Sequence, residues 1–97
     1  MASLSEKLLD FAGSVSVAIT EAPDEYPEWR YITYEGHMAD IKELWSEIRP
    51  KLKRDVEKAD FIEGKLQEAF AAFDAGEKEV GRKALLAIYN LGIRTLK

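Results

Sequence analysis

Residues 35–74 read EGHMADIKELWSEIRPKLKRDVEKADFIEGKLQEAFAAFD, and along them Met38, Trp45, Leu52, Ala59, Leu66 and Phe73 recur at a constant seven-residue interval. Ile41, Ile48, Asp55, Ile62 and Ala69 occupy the second position of the same repeat. Side chains spaced alternately three and four apart share one face of an α-helix, so this stretch predicts a long amphipathic helix with one buried seam. Pro50 falls on the side away from that seam. Because proline lacks the amide that a helix interior needs, the helix either continues with a kink or breaks near Arg49 and restarts with Pro50 in its first turn. The apolar phase is the same in both cases.

Downstream, Asp74-Ala75-Gly76 ends the pattern, with Gly76 suited to a left-handed exit and Asp74 and Glu77 placed to cap the next helix. That last helix is expected from about Glu77 to Leu96, with Val80, Ala84, Ala87, Ile88 and Leu91 as its main stripe and Leu85, Leu86, Tyr89 and Ile93 at other angles. A helix apolar on so many sides is central in its bundle or covered by a partner. Upstream, Ser3 and Glu6 match a capping box, and Leu4, Leu8, Phe11, Val15, Ala18 and Ala22 give a helical stripe from about Leu4 to Thr20. Val15, Val17 and Ile19 also alternate as a strand would. Short connections between such helices predict an all-α fold, a compact antiparallel bundle of three to four helices in a single domain over residues 1–97.

Composition supports a folded chain. Hydrophobic residues make up 46% and charged residues 33% of the 97 positions, too apolar a balance for a disordered tail. No apolar run approaches the roughly 20 residues that cross a bilayer, and the first residues lack the basic-then-apolar order of a secretory signal, so a cytoplasmic location without membrane contact is expected. Eighteen acidic against fourteen basic side chains, a formal charge of −4, disfavour attraction to phosphate backbones. Arg49, Lys51, Lys53, Arg54 and Lys58 form a basic stretch, but Asp55 and Glu57 interrupt it without an interleaved aromatic platform, so no nucleic-acid partner is expected. Those cations could instead meet the acids of residues 21–28 within the same molecule.

Catalytic chemistry finds little to work with. The chain has one histidine and no cysteine, and its glycines do not adopt dinucleotide or P-loop spacing. His37 with Asp40 and Glu35 is the sharpest metal candidate, yet it lacks the Glu-x-x-His repeats of a helical di-metal site. No enzyme activity, cofactor or metal is therefore expected, and His37 reads as a surface or capping residue.

The connector is more distinctive. Glu21, Asp24, Glu25 and Glu28 precede any base until Arg30, and Tyr26, Trp29, Tyr31 and Tyr34 are spaced among or just beyond them. Rings with few rotors supply contact area and clustered acids steer a basic partner, so this composition suits a recognition surface. The candidate binding set is Asp24, Glu25, Tyr26, Glu28, Trp29, Tyr31 and Tyr34, with Glu35 and His37 just beyond. Equally available is a reading in which the rings fold back to cover the open end of the bundle. Phe61, off the seam, is expected against another helix in preference to a partner or a second copy, and a homodimer of the free protein stays open.

The segment Tyr26-Pro27-Glu28-Trp29, the long amphipathic stretch, and the ending Ala87-x-Tyr89 followed by Gly92-Ile93-Arg94-Thr95 together resemble the small helical immunity proteins of bacterial type VI secretion. The likeness runs, with gaps, from about Ala22 to Thr95. It implies a protein that binds and sterically blocks a cognate toxin domain, a NAD(P)+ glycohydrolase or another nucleotide-using toxin, with the connector as the toxin-binding surface. The acidity around Tyr26-Pro27 departs from a more basic family pattern and leaves the toxin's reaction open. A non-enzymatic helical scaffold, acting through dimerisation or helix-helix binding, is the alternative.

Overall fold

The computed structural model describes residues 3–28 and 32–97. Among them the chain forms an all-α bundle of four helices: α1 (Leu4–Glu21), α2 (Tyr34–Ile48), α3 (Val56–Asp74) and α4 (Lys78–Tyr89). Helix α1 packs against α2, α4 and a closing 3-10 turn over Ile93–Thr95, and α3 packs against α4. Ser3 caps α1, its hydroxyl accepting from the Glu6 amide at 3.2 Å, and the helix runs on past the alternating valines to Glu21. Leu8, Phe11, Val15, Ala18 and Ala22 are buried, as their helical spacing predicts. The Phe11 ring stacks on Trp45 of α2 with centroids 5.5 Å apart, tying the two helices at mid-height.

The long helix of the heptad pattern is two helices. α2 ends at Ile48, Arg49–Lys51 form a 3-10 turn with Pro50 inside it, Leu52 is extended, and α3 begins only at Val56. Pro50 cannot donate the hydrogen bond that would carry α2 onward, and its ring would press on the carbonyl one turn back. The chain therefore folds back, so that Arg49 meets the start of α3 through the Ala59 carbonyl (3.0 Å) and Asp60, and Lys42 lies over the Phe70 ring. The repeat survives the break: Met38, Ile41, Trp45, Ile48, Leu52, Ala59, Ile62, Leu66, Ala69 and Phe73 are all buried. Two antiparallel helices that face one core keep the same apolar phase as one continuous helix. Asp55 leaves the seam. It stands at the N-cap of α3, where its carboxylate accepts from the Lys97 amide at 2.7 Å while the Lys97 carbonyl accepts from the amides of Arg54 and Asp55 at 2.9 Å each. This reciprocal clasp closes the joint between α2 and α3.

Helix α4 is shorter and rotated relative to its sequence reading. It stops at Tyr89, and Gly92 takes a left-handed φ of 76° to start the final turn. Its buried face is Gly81, Ala84, Leu85 and Ile88, whereas Val80 and Leu86 are 43% and 44% exposed. Gly81 decides the rotation: without a side chain it lets α4 settle onto the Phe73 ring, and its neighbours turn outward. Gly76 has the expected left-handed φ of 77°, but Glu77 occupies the N-cap of α4 without a side-chain capping bond, and Asp74 ends α3. Phe61 is 42% exposed, with the Lys65 ammonium of its own helix 5.6 Å from its ring centre. No helix among the described residues is long and apolar enough to cross a membrane.

Candidate functional site

The connector leaves α1 at Ala22, whose peptide bond to Pro23 is cis, and the Glu25 amide still reaches the Glu21 carbonyl at 2.7 Å. From there α4 holds it. Lys78 and Arg82 lie one helical turn apart and so project from the same side of α4. The Lys78 ammonium is 3.1 Å from the Asp24 carboxylate and also binds Glu25, while Arg82 binds Glu25 at 3.0 Å and donates through Nε to the Ala22 carbonyl at 2.8 Å. The Lys78 hydrogen bond, followed by that from Arg82, holds the Glu25 carboxyl below its ordinary range. Reciprocally, the Glu25 and Asp24 carboxylates push Lys78 up. The cations that meet Asp24 and Glu25 are thus those of α4, while Arg49, the first of the basic stretch, turns to Asp60 and Glu63 of α3.

The second anchor is interior. Tyr26 projects inward and its hydroxyl lies 2.7 Å from Nδ1 of His37, with the two rings edge to face at 5.5 Å. His37 is only 6% exposed, and its Nε2 is 3.0 Å from the Ser14 carbonyl of α1. A carbonyl can only accept, so Nε2 carries the hydrogen, and Nδ1 of the neutral ring accepts the Tyr26 O–H. Burial, with smaller contributions from Glu21 and Tyr34, pushes the Tyr26 phenol up to about 12. His37 is held there by the start of α2: Thr33 caps the helix, its hydroxyl accepting from Gly36 at 3.0 Å and its carbonyl from the His37 amide at 2.9 Å. The connector is therefore latched to α1, α2 and α4 together.

Of the sequence-derived binding set, Asp24 and Glu25 are neutralised by α4, while Tyr26 and His37 form an interior pair. His37 is a buried residue rather than a surface one. Tyr34 packs edge to face on Phe73 at 5.9 Å, and burial raises its phenol, helped by Asp74 and Glu35. Glu28 and Glu35 stay exposed, the latter in the first turn of α2 where the helix dipole favours an acid. Trp29 and Tyr31 lie outside the described residues. The rings that are described, Tyr26 and Tyr34, pack against the bundle, as the covering reading expects, and the carboxylates of Glu28 and Glu35 stay at the surface.

Lys78, Arg82 and the Ser14 carbonyl are the partners that sequence reasoning missed. The only signal was the i,i+4 spacing of Lys78 and Arg82, two cations on one side of a helix in an otherwise acidic chain. Among the described residues no group of three or more His, Asp or Glu side chains is placed to hold a metal ion, and both His37 nitrogens are engaged in hydrogen bonds. Compared with protein-family models, curated proteins and solved structures, the chain finds no match.

Proposed function

We propose that this chain is a binding protein of the immunity type, which occupies a cognate type VI secretion toxin domain in the cytoplasm of the producing cell and keeps substrate out. The observation that carries the reading is the latching of the connector. With Asp24 and Glu25 fixed by Lys78 and Arg82, and Tyr26 fixed by His37, the stretch from Ala22 to Tyr26 is held against the bundle before any partner arrives. Preordering removes part of the entropic cost of association, which favours the tight, fast binding that neutralising a toxin requires. A toxin that takes an anionic nucleotide presents a basic cleft, and an acidic, non-catalytic partner is complementary to it. Co-expression with the toxin encoded in the adjacent gene tests the reading: a stable 1:1 complex and restored growth are expected, and a toxin that neither co-purifies nor loses potency refutes it.

The exposed ring of Phe61 favours one second reading, a helical scaffold that self-associates. Sedimentation separates the two, because a scaffold is dimeric in isolation and loses that state on Phe61→Ser.

A further inference from the structure

Helices α1 and α2 run antiparallel, and the groove between them gathers exposed apolar side chains beside acids. Leu9, Gly13 and Val17 stand at i, i+4 and i+8 along α1, and Ile32, just before α2, reaches the same groove. Leu9 is 50% and Ile32 40% exposed, high values for side chains of that size. The groove is shallow and open to solvent, with about 500 Å³ of space here, and through Asp10, Ser14 and Asp40 it continues into a similarly open stretch of about 360 Å³ edged by Glu43, Leu44 and Glu47. Glu47 has Lys7 at 3.8 Å, but among the described residues no cation pairs with Asp10, Asp40 or Glu43.

Gly13 adds an independent observation. A β-carbon built on it would meet nothing within 4 Å, so packing within the chain does not demand glycine there. Glycine in a helix interior costs about 1 kcal/mol relative to alanine, and a bare backbone in a groove floor suits the close approach of another molecule.

We infer that this groove docks a basic amphipathic helix from a partner protein. Its apolar face lies along Leu9, Val17 and Ile32 with closest approach over Gly13, and its lysines or arginines face Asp10, Asp40 and Glu43. The stripe from Leu9 to Val17 spans roughly 12 Å, which matches about two turns of such a helix. The inference deepens the immunity reading by naming a docking surface, and it rests on that reading only for the identity of the partner.

The test titrates the isotope-labelled full chain with a synthetic helical peptide that places leucines on one face and lysines on the other, beside a scrambled peptide of the same composition. Expected are amide shifts at Leu9, Gly13, Val17, Ile32 and Asp40, and an affinity that falls about tenfold as salt is raised. Gly13→Trp, at a position where a β-carbon meets nothing within 4 Å, should weaken binding at least about tenfold, and so should D10N/D40N/E43Q. Gly64→Trp, at an equally open glycine of α3 outside the groove, should not. Shifts centred elsewhere, equal binding of the scrambled peptide, or indifference to both groove variants would overturn the inference. With the cognate toxin as partner, capture lost in Gly13→Trp and kept in Gly64→Trp supports the groove. Capture kept in both sinks it and leaves the immunity reading standing. If the wild-type chain captures no toxin, the immunity reading fails and the peptide titration still decides the groove.

Discussion

Gly81 of α4 lies so close to Phe73 of α3 that a β-carbon added to it would stand 2.5 Å from Cε1 of the ring. Phe73 is buried and cannot swing clear without disturbing the core. Gly81→Ala should therefore destabilise the fold by about 2 kcal/mol in urea melts, despite the better helix propensity of alanine. Adding Phe73→Leu should recover part of the loss, and strict additivity of the two changes would show that the ring is not the obstacle.

At Gly13 and Gly64 the same substitution has the opposite sign. Both sit inside helices with open space where a β-carbon would go, so Gly13→Ala and Gly64→Ala should each stabilise by about 0.5–1 kcal/mol. Calorimetric midpoints a few degrees above wild type would be the readout.

The Tyr26–His37 pair gives a stability term with an alkaline limit. Tyr26→Phe leaves Nδ1 of a buried histidine without its donor and should cost about 1–2 kcal/mol at neutral pH. The folded phenol sits near 12, above the ordinary value of 10.0, so the unfolded chain releases its proton first. The associated stability is whole below the ordinary value and declines as pH rises through the folded one, by roughly 1–2 kcal/mol for this partly buried ring. Ultraviolet titration should find Tyr26 and Tyr34 ionising late, and Tyr26→Phe should remove one of these late tyrosinates.

Glu25 supplies the acid-side counterpart. Its hydrogen bonds from Lys78 and Arg82 lower its folded pKa from 4.5, so its contribution is present above that value and disappears as pH falls through the lowered one. Denaturation of wild type and Glu25→Gln should thus differ most at neutral pH and converge in acid. A constant gap down to the acid limit would show that the ion pairs with α4 are not what anchors the connector.

Much of the fold is legible in spacing. The Ser3 cap, the stripe of α1, the seam of residues 38–73 and the exit at Gly76 come from local rules, because each depends on neighbours within a turn or two of chain. What the heptad could not reveal is whether its seam belongs to one helix or to two facing a common core, since both bury the same positions. The rotation of α4 depended on a ring eight residues upstream that fits only over a glycine. Least legible was the connector, where acids that look free in sequence are matched by Lys78 and Arg82 more than fifty residues away, and where the single histidine is interior because Tyr26 and Ser14 satisfy both its nitrogens.

The clasp between Lys97 and the start of α3 means that the joint at residues 52–55 is held shut by the last turn of the chain. Any fluctuation that peels away Ile93–Lys97 also frees the amides of Arg54 and Asp55, so two distant stretches open as one cooperative unit. Their hydrogen exchange should rise in step, and shortening the tail should loosen the elbow between α2 and α3 while leaving the α1–α2 pair protected.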